Sequence, residues 1–214
     1  MFRVDADEWQ TRAGRASARY ESGATRGLDQ RQLTQLANAA WAAGLCLLMA
    51  GDGDGANDWL RRAAARYRES WENAPPDSWG RPIAAMKALL LAGDDATDAA
   101  RWALAAGAED ATSAIGRYAA ALARLVLGED VEARVVASTL RDDDFPRAVA
   151  DALVTIAAAD RAGYLLAIED VLESFEQRSD FLEDVPVADT VLVLQRLAAS
   201  REVAVELPPS SLLP

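Results

Sequence analysis

At 214 residues and 22.9 kDa, with 51% of its residues apolar, the chain is long enough for one domain with a substantial core, which excludes a disordered tail or a disulfide-stapled miniprotein. The charge balance is lopsided, 34 Asp and Glu against 22 Lys and Arg for a net charge of −12, so polyanions are repelled at long range and a general nucleic-acid binder is disfavoured. There is no histidine, which removes the commonest general base and metal ligand.

The N-terminal stretch from Met1 to Trp9 holds three acids in its first eight residues and lacks the apolar run of a secretory signal. The longest uncharged stretch, Gln32 to Gly51, narrows to an Ala/Leu run from Ala39 to Ala50, too short to span a bilayer that needs ~20 apolar residues. A buried helix and a cytoplasmic location are expected, with Cys46, the single cysteine, as a small core residue.

Alanine occurs 47 times, and helical periodicity runs through nearly the whole chain, with alternating β-branched residues confined to Val203-Ala204-Val205. The expected fold class is all-α, about ten helices in stacked irregular αα hairpins, solenoid-like and without a substantial β-sheet. A first helix is expected over Asp5 to Tyr20 and a second over Asp29 to Ala50, separated by Gly23 and Gly27. A third, from about Gly55 to Asn73, places Trp59, Ala63, Tyr67 and Trp71 at four-residue steps, the mark of a core stripe.

The diproline in Ala74-Pro75-Pro76-Asp77 must interrupt the helices. It also marks a change in charge: residues 1–73 hold ten acids and ten bases, residues 74–214 hold 24 and 12. The chain reads as one domain, 1–214, with a sub-boundary at 74–77. After it, Ser78 is the expected cap of a helix bearing Ile83, Met86 and Leu90, and Gly93-Asp94-Asp95 turns into a helix ending near Gly107.

Ile115, Tyr118, Ala119, Leu122, Leu125 and Val126 then give the clearest amphipathic pattern, ended by Gly128. The next helix carries Val131, Val135, Thr139 and Leu140 and stops at Arg141. Asp144-Phe145-Pro146 reads as a capped proline start for the helix with Val149, Leu153 and Ile156. A further helix buries Leu165, Ile168, Leu172 and Phe175 and shows Glu169, Glu173, Glu176 and Gln177 to water; a last one covers about Val187 to Ser200. Gly51, Gly93, Gly128 and Asp160 mark similar turns at separations of 42, 35 and 32 residues, as in an array of helical pairs.

Little chemistry emerges. A Ser-His-Asp triad, a Cys-His pair and a standard zinc site are impossible without histidine, and phosphate-loop, dinucleotide and nucleophile-elbow motifs are absent. Gly51 to Asp58 superficially resembles a calcium loop, but counting from Asp52 the sixth position is Asn57 and the twelfth Ala63, so a capped interhelical turn is expected. Lys87, the lone lysine, reads as part of a solvated helix face. No catalytic, metal or cofactor site is assigned.

The sharpest acidic segments, Asp142-Asp143-Asp144 and Asp180 with Glu183 and Asp184, are solvated capping turns or a docking surface for a basic partner. Arg12, Arg15 and Arg19, with Arg61, Arg62, Arg66 and Arg68, form a basic strip near Trp9 and Tyr20 that either pairs with the acids or holds single-stranded nucleic acid. Surplus surface acid also suggests adaptation to high salt, where the Debye length falls to ~3 Å at 1 M.

Ala88-Leu89-Leu90-Leu91-Ala92-Gly93-Asp94-Asp95 followed by Ala99-Ala100-Arg101 resembles the Ala-Leu-x-Ala-Gly-Asp hairpin of the family-49 immunity proteins of polymorphic toxin systems. Phe145 with Ala148 to Leu153, the helix around Leu165 to Phe175, and Val187 to Leu197 with Leu212-Leu213-Pro214 are similar to that family's closing helices, for a resemblance over Ser78 to Pro214. It implies a cytoplasmic helical protein that binds and blocks a cognate toxin without catalysis. The leading expectation is therefore a non-enzymatic protein-interaction module with a basic protein partner. A carboxylate-dependent hydrolase or lyase, and a nucleic-acid-associated protein using the N-terminal arginines, stand as alternatives, and the oligomeric state is left open.

Overall fold

A computed structural model describes residues 5–214; residues 1–4, part of the stretch read for an export signal, lie outside it. The described residues are all-helical, with ten α-helices and three short 3-10 turns. By its contacts the chain divides into two compact units, one formed by Met1–Asp94, Arg178–Asp189 and Pro209–Pro214, the other by Asp95–Gln177 and Thr190–Pro208. The diproline lies inside the first unit.

In the first unit, α1 (Ala6–Gly23) starts where the Asp5 carboxylate accepts the Glu8 amide at 2.8 Å, with Asp7 and Glu8 in the positive first turn. α2 (Gln30–Met49) starts with a capping box, Asp29 accepting the Arg31 and Gln32 amides and Gln32 accepting the Asp29 amide. Its Ala/Leu run is buried from Leu36 to Leu47 but for Asn38, whose side chain accepts the Tyr67 hydroxyl at 2.7 Å. α1 and α3 (Gly53–Glu69) both pack on α2, and α4 (Gly80–Leu91) packs on α3.

Cys46 is fully buried in α2, and burial pushes its thiol up to about 11, so thiolate chemistry is suppressed. Of the expected aromatic stripe, Ala63 and Tyr67 are buried, while Trp59 meets Tyr20 edge-on at 5.3 Å and Trp71 lies past the helix end against Trp79 at 5.7 Å.

In the second unit α5 (Thr97–Ala105), α6 (Ala114–Leu127), α7 (Asp130–Thr139), α8 (Arg147–Ala157) and α9 (Arg161–Glu176) pack each on the next. α10 (Asp189–Ala199) is tied in by the Tyr164 hydroxyl donating to Gln195 at 3.0 Å. Arg201 beyond it donates to the Leu125 carbonyl at 2.7 Å and pairs with Asp130.

The turns at Gly51, Gly93 and Gly128 share one geometry. A left-handed residue, Gly51, Gly93 or Gly128, donates its amide three residues back, and the next residue donates five back, which closes the helix end. The turn before Asp160 makes the same two bonds from Ala159, whose φ of 51° an alanine adopts only at a cost. Ala159→Gly is therefore expected to stabilise the protein by about 0.5–1 kcal/mol in urea unfolding, the relieved strain exceeding the added chain entropy; a loss would contradict this.

Several local expectations are corrected. Ser78 does not cap α4, because its hydroxyl donates to the Pro75 carbonyl at 2.7 Å and Trp79 holds the cap position. Asp144 does not cap α8, which begins after Pro146 without a side-chain cap. Leu90 and Leu165 are half-buried, and Tyr164 fills the core place expected of Leu165. On α7 the buried side is Ala133 and Ala137, joined by Leu140, while Val131 and Val135 are 70% and 62% exposed. The small alanines permit close packing there, which turns the larger valines outward.

Lys87 is not on a solvated face. Its ammonium meets the Asp189 carboxylate at 2.5 Å and lies 5.7 Å from the Trp41 ring centroid, with the side chain only 12% exposed.

Candidate functional site

The acidic turn after α7 is built from three anchors. Leu140 is fully buried, Asp143 accepts two hydrogen bonds from Arg117, and the Phe145 ring packs 5.2 Å from Tyr118. Arg117 in turn donates to the Thr112 carbonyl at 2.7 Å. Asp143 is thereby committed to holding the turn, whereas Asp142 and Asp144 are exposed and form no ion pair among the described residues. Immediately before the turn, α7 presents Val131 and Val135 one helical turn apart. Apolar and anionic groups thus follow one another along a single short segment, residues 131–144.

Asp180, Glu183 and Asp184 belong to the other compact unit. Asp180 is exposed and accepts the Ser179 hydroxyl at 3.1 Å. Glu183 pairs with Arg19 at 2.9 Å. Glu183 and Asp184 both adopt positive φ, 59° and 57°, in a turn closed by the Val185 amide donating to the Leu182 carbonyl at 3.2 Å. Such a turn favours Gly, Asn and Asp, so the strain falls mainly on Glu183.

The basic strip resolves into separate contacts. Arg12 pairs with Glu8 at 2.6 Å and lies over Trp9; Arg61 grips both oxygens of Asp94; Arg62 lies over Trp59; and Arg66 bonds Glu69 and the Tyr20 hydroxyl. The Arg61 bonds hold the Asp94 carboxyl below the usual carboxylate range. Trp9 and Tyr20 are buried, so neither ring is open for a base to stack on. Arg15 is exposed and forms no ion pair among the described residues.

Other candidate chemistry resolves into structure. Asp52, first of the calcium-like carboxylates, accepts the Gly55 amide at 3.0 Å and caps α3. Among the described residues no three Asp, Glu or Cys side chains gather closely enough to hold a metal ion. The buried polar residues are Ser70 and Arg81, and each described Asp and Glu keeps contact with water. No helix among the described residues is long and apolar enough to cross a membrane.

Compared with known proteins, the chain matches no family model, no curated protein and no solved structure. Sequence reading missed the outward valines of α7 and the turn that brings Glu183 to Arg19. The first had a signal, since Ala133 and Ala137 mark an alternative buried stripe; the second, joining residues 164 positions apart, had none.

Proposed function

We propose that the protein is a non-enzymatic binding module of the immunity-like kind, whose second unit docks a basic protein. The observation that carries this reading is the α7 segment, where exposed Val131 and Val135 run into Asp142 and Asp144. Exposed apolar residues rimmed by charge are characteristic of interaction surfaces. The unit around them holds 18 acids and nine arginines, a net charge of −9, and Arg117, Arg124, Arg141 and Arg201 already pair within it. A second copy would set like charge against like, whereas a basic partner is steered in. The resemblance to family-49 immunity proteins supports a toxin as that partner, since many toxins acting on nucleic acid are basic.

The test is a photo-crosslinking residue at Val135, with exposed Arg31 of α2 as control position, in cells carrying the neighbouring genes. A covalent adduct formed only from position 135, to a protein with excess Lys and Arg, and lost in Asp142→Asn/Asp144→Asn, is expected. Equal adducts from both positions, or an acidic partner, would overturn the reading.

Salt adaptation belongs to the same proposal. Glu169, Asp170, Glu173 and Glu176 are all exposed on the C-terminal half of α9, where like charges one turn apart repel and the helix dipole is also negative. Screening relieves both effects, so the melting temperature is expected to climb steadily from dilute buffer to 1 M KCl. A flat profile would count against salt adaptation.

A further inference from the structure

In the first unit, α1 and the strained 182–185 turn line a groove of about 410 Å³. Its charged lining contains two satisfied pairs, Arg12 with Glu8 at 2.6 Å and Arg19 with Glu183 at 2.9 Å. It also contains two open charges of opposite sign. Arg15 and Asp184 line the same groove, are both exposed, and pair neither with each other nor with any other described residue. Ala16, Ala42 and Val185 add apolar lining to the same groove.

Opposite charges that share a cavity without meeting are complementary to a molecule bearing both signs. The volume falls in the range of small-molecule sites. Glu183 and Asp184 hold left-handed conformations that a glycine would adopt without cost.

We infer that this groove binds a small zwitterion of the α-amino-acid class, its carboxylate on the Arg15 guanidinium, its ammonium on the Asp184 carboxylate, and its side chain against Ala16, Ala42 and Val185. The inference is independent of the α7 docking surface, which lies in the other unit. A groove open to solvent holds a ligand of about ten heavy atoms with half-saturation near ~1 mM.

The experiment is an NMR titration of amide shifts in the full chain with L-leucine, and in parallel with 4-methylpentanoate, which lacks the ammonium, and 3-methylbutylamine, which lacks the carboxylate. Saturable shifts confined to α1, the region of Ala42 and residues 183–185 are expected for leucine, with each half-ligand at least tenfold weaker. Arg15→Gln and Asp184→Asn should each weaken leucine at least tenfold while keeping a dispersed spectrum. Asp184→Gly should lose leucine binding while keeping its melting temperature within a few degrees of the parent, because glycine adopts the same backbone conformation. No saturation by 20 mM leucine, or equal binding of 4-methylpentanoate alone, would overturn the inference.

Discussion

Replacing Lys87 by methionine is expected to lower stability by about 3 kcal/mol, a fall in melting temperature of roughly 6–12 °C for a chain of this size. The ammonium lies 2.5 Å from Asp189, and the two side chains are 12% and 19% exposed, so solvent replaces the lost partner only in part. The substitution keeps the volume of the aliphatic stem and removes the charge, leaving Asp189 without its ammonium in a poorly hydrated place. An exposed pair is worth about 0.2–1 kcal/mol and would barely register. The double variant Lys87→Met/Asp189→Leu should recover most of the loss, since two matched apolar groups replace a buried pair at little cost. A single-variant loss below about 0.5 kcal/mol in urea unfolding would mean that the pair is solvated after all.

Gly44→Val is expected to cost about 3 kcal/mol or more, against the direction that helix propensity gives. Glycine inside a helix is about 1 kcal/mol worse than alanine, so in isolation α2 gains from any side chain at position 44. A Cβ there, however, would stand 2.7 Å from Leu60 Cγ and 2.9 Å from Leu60 Cδ2, with the Ala56 carbonyl at 3.3 Å. Leu60 is fully buried and has nowhere to swing, so α2 and α3 must separate. Overpacking of about 1–3 kcal/mol for the first carbon outweighs the propensity gain, and valine adds two further methyl groups. Leu60→Ala in the same chain opens the space and should restore part of the stability. A melting temperature for Gly44→Val equal to that of the parent would show that α2 and α3 approach less closely at this point.

The helices were legible in the sequence wherever apolar spacing and end signals agreed. Asp5 and Asp29, at the expected helix starts, and Asp160, at an expected turn, cap α1, α2 and α9, and Gly51, Gly93 and Gly128 close helices with left-handed backbone. Reading became less reliable where local signals compete. Ser78 is a good cap chemically, but the Pro75 carbonyl takes its hydroxyl. On α7 the larger valines suggested the buried face, yet close packing selected the alanines. For the candidate site, chain order made Asp142, Asp143 and Asp144 equivalent, and only Arg117, 26 residues before Asp143, distinguishes the middle one. Lys87 likewise looked solvated because its partner lies 102 residues away. Long-range ion pairs leave no trace in local periodicity, so the sequence marked the acidic segment 142–144 as a whole and the structure picks out Asp142 and Asp144 as its open charges.

The central claim is that exposed valines and open carboxylates of the second unit hold a basic protein. Its most direct test is the affinity for the crosslinked partner, once purified, measured from 0.1 to 1 M KCl with the parent chain, Asp142→Asn/Asp144→Asn and Val131→Ser/Val135→Ser. The parent should lose affinity at least tenfold across that range, the carboxylate variant should start weaker with a shallower salt slope, and the valine variant should be weaker at every salt concentration with the slope unchanged. Equal affinities for all three chains, insensitive to salt, would contradict the claim.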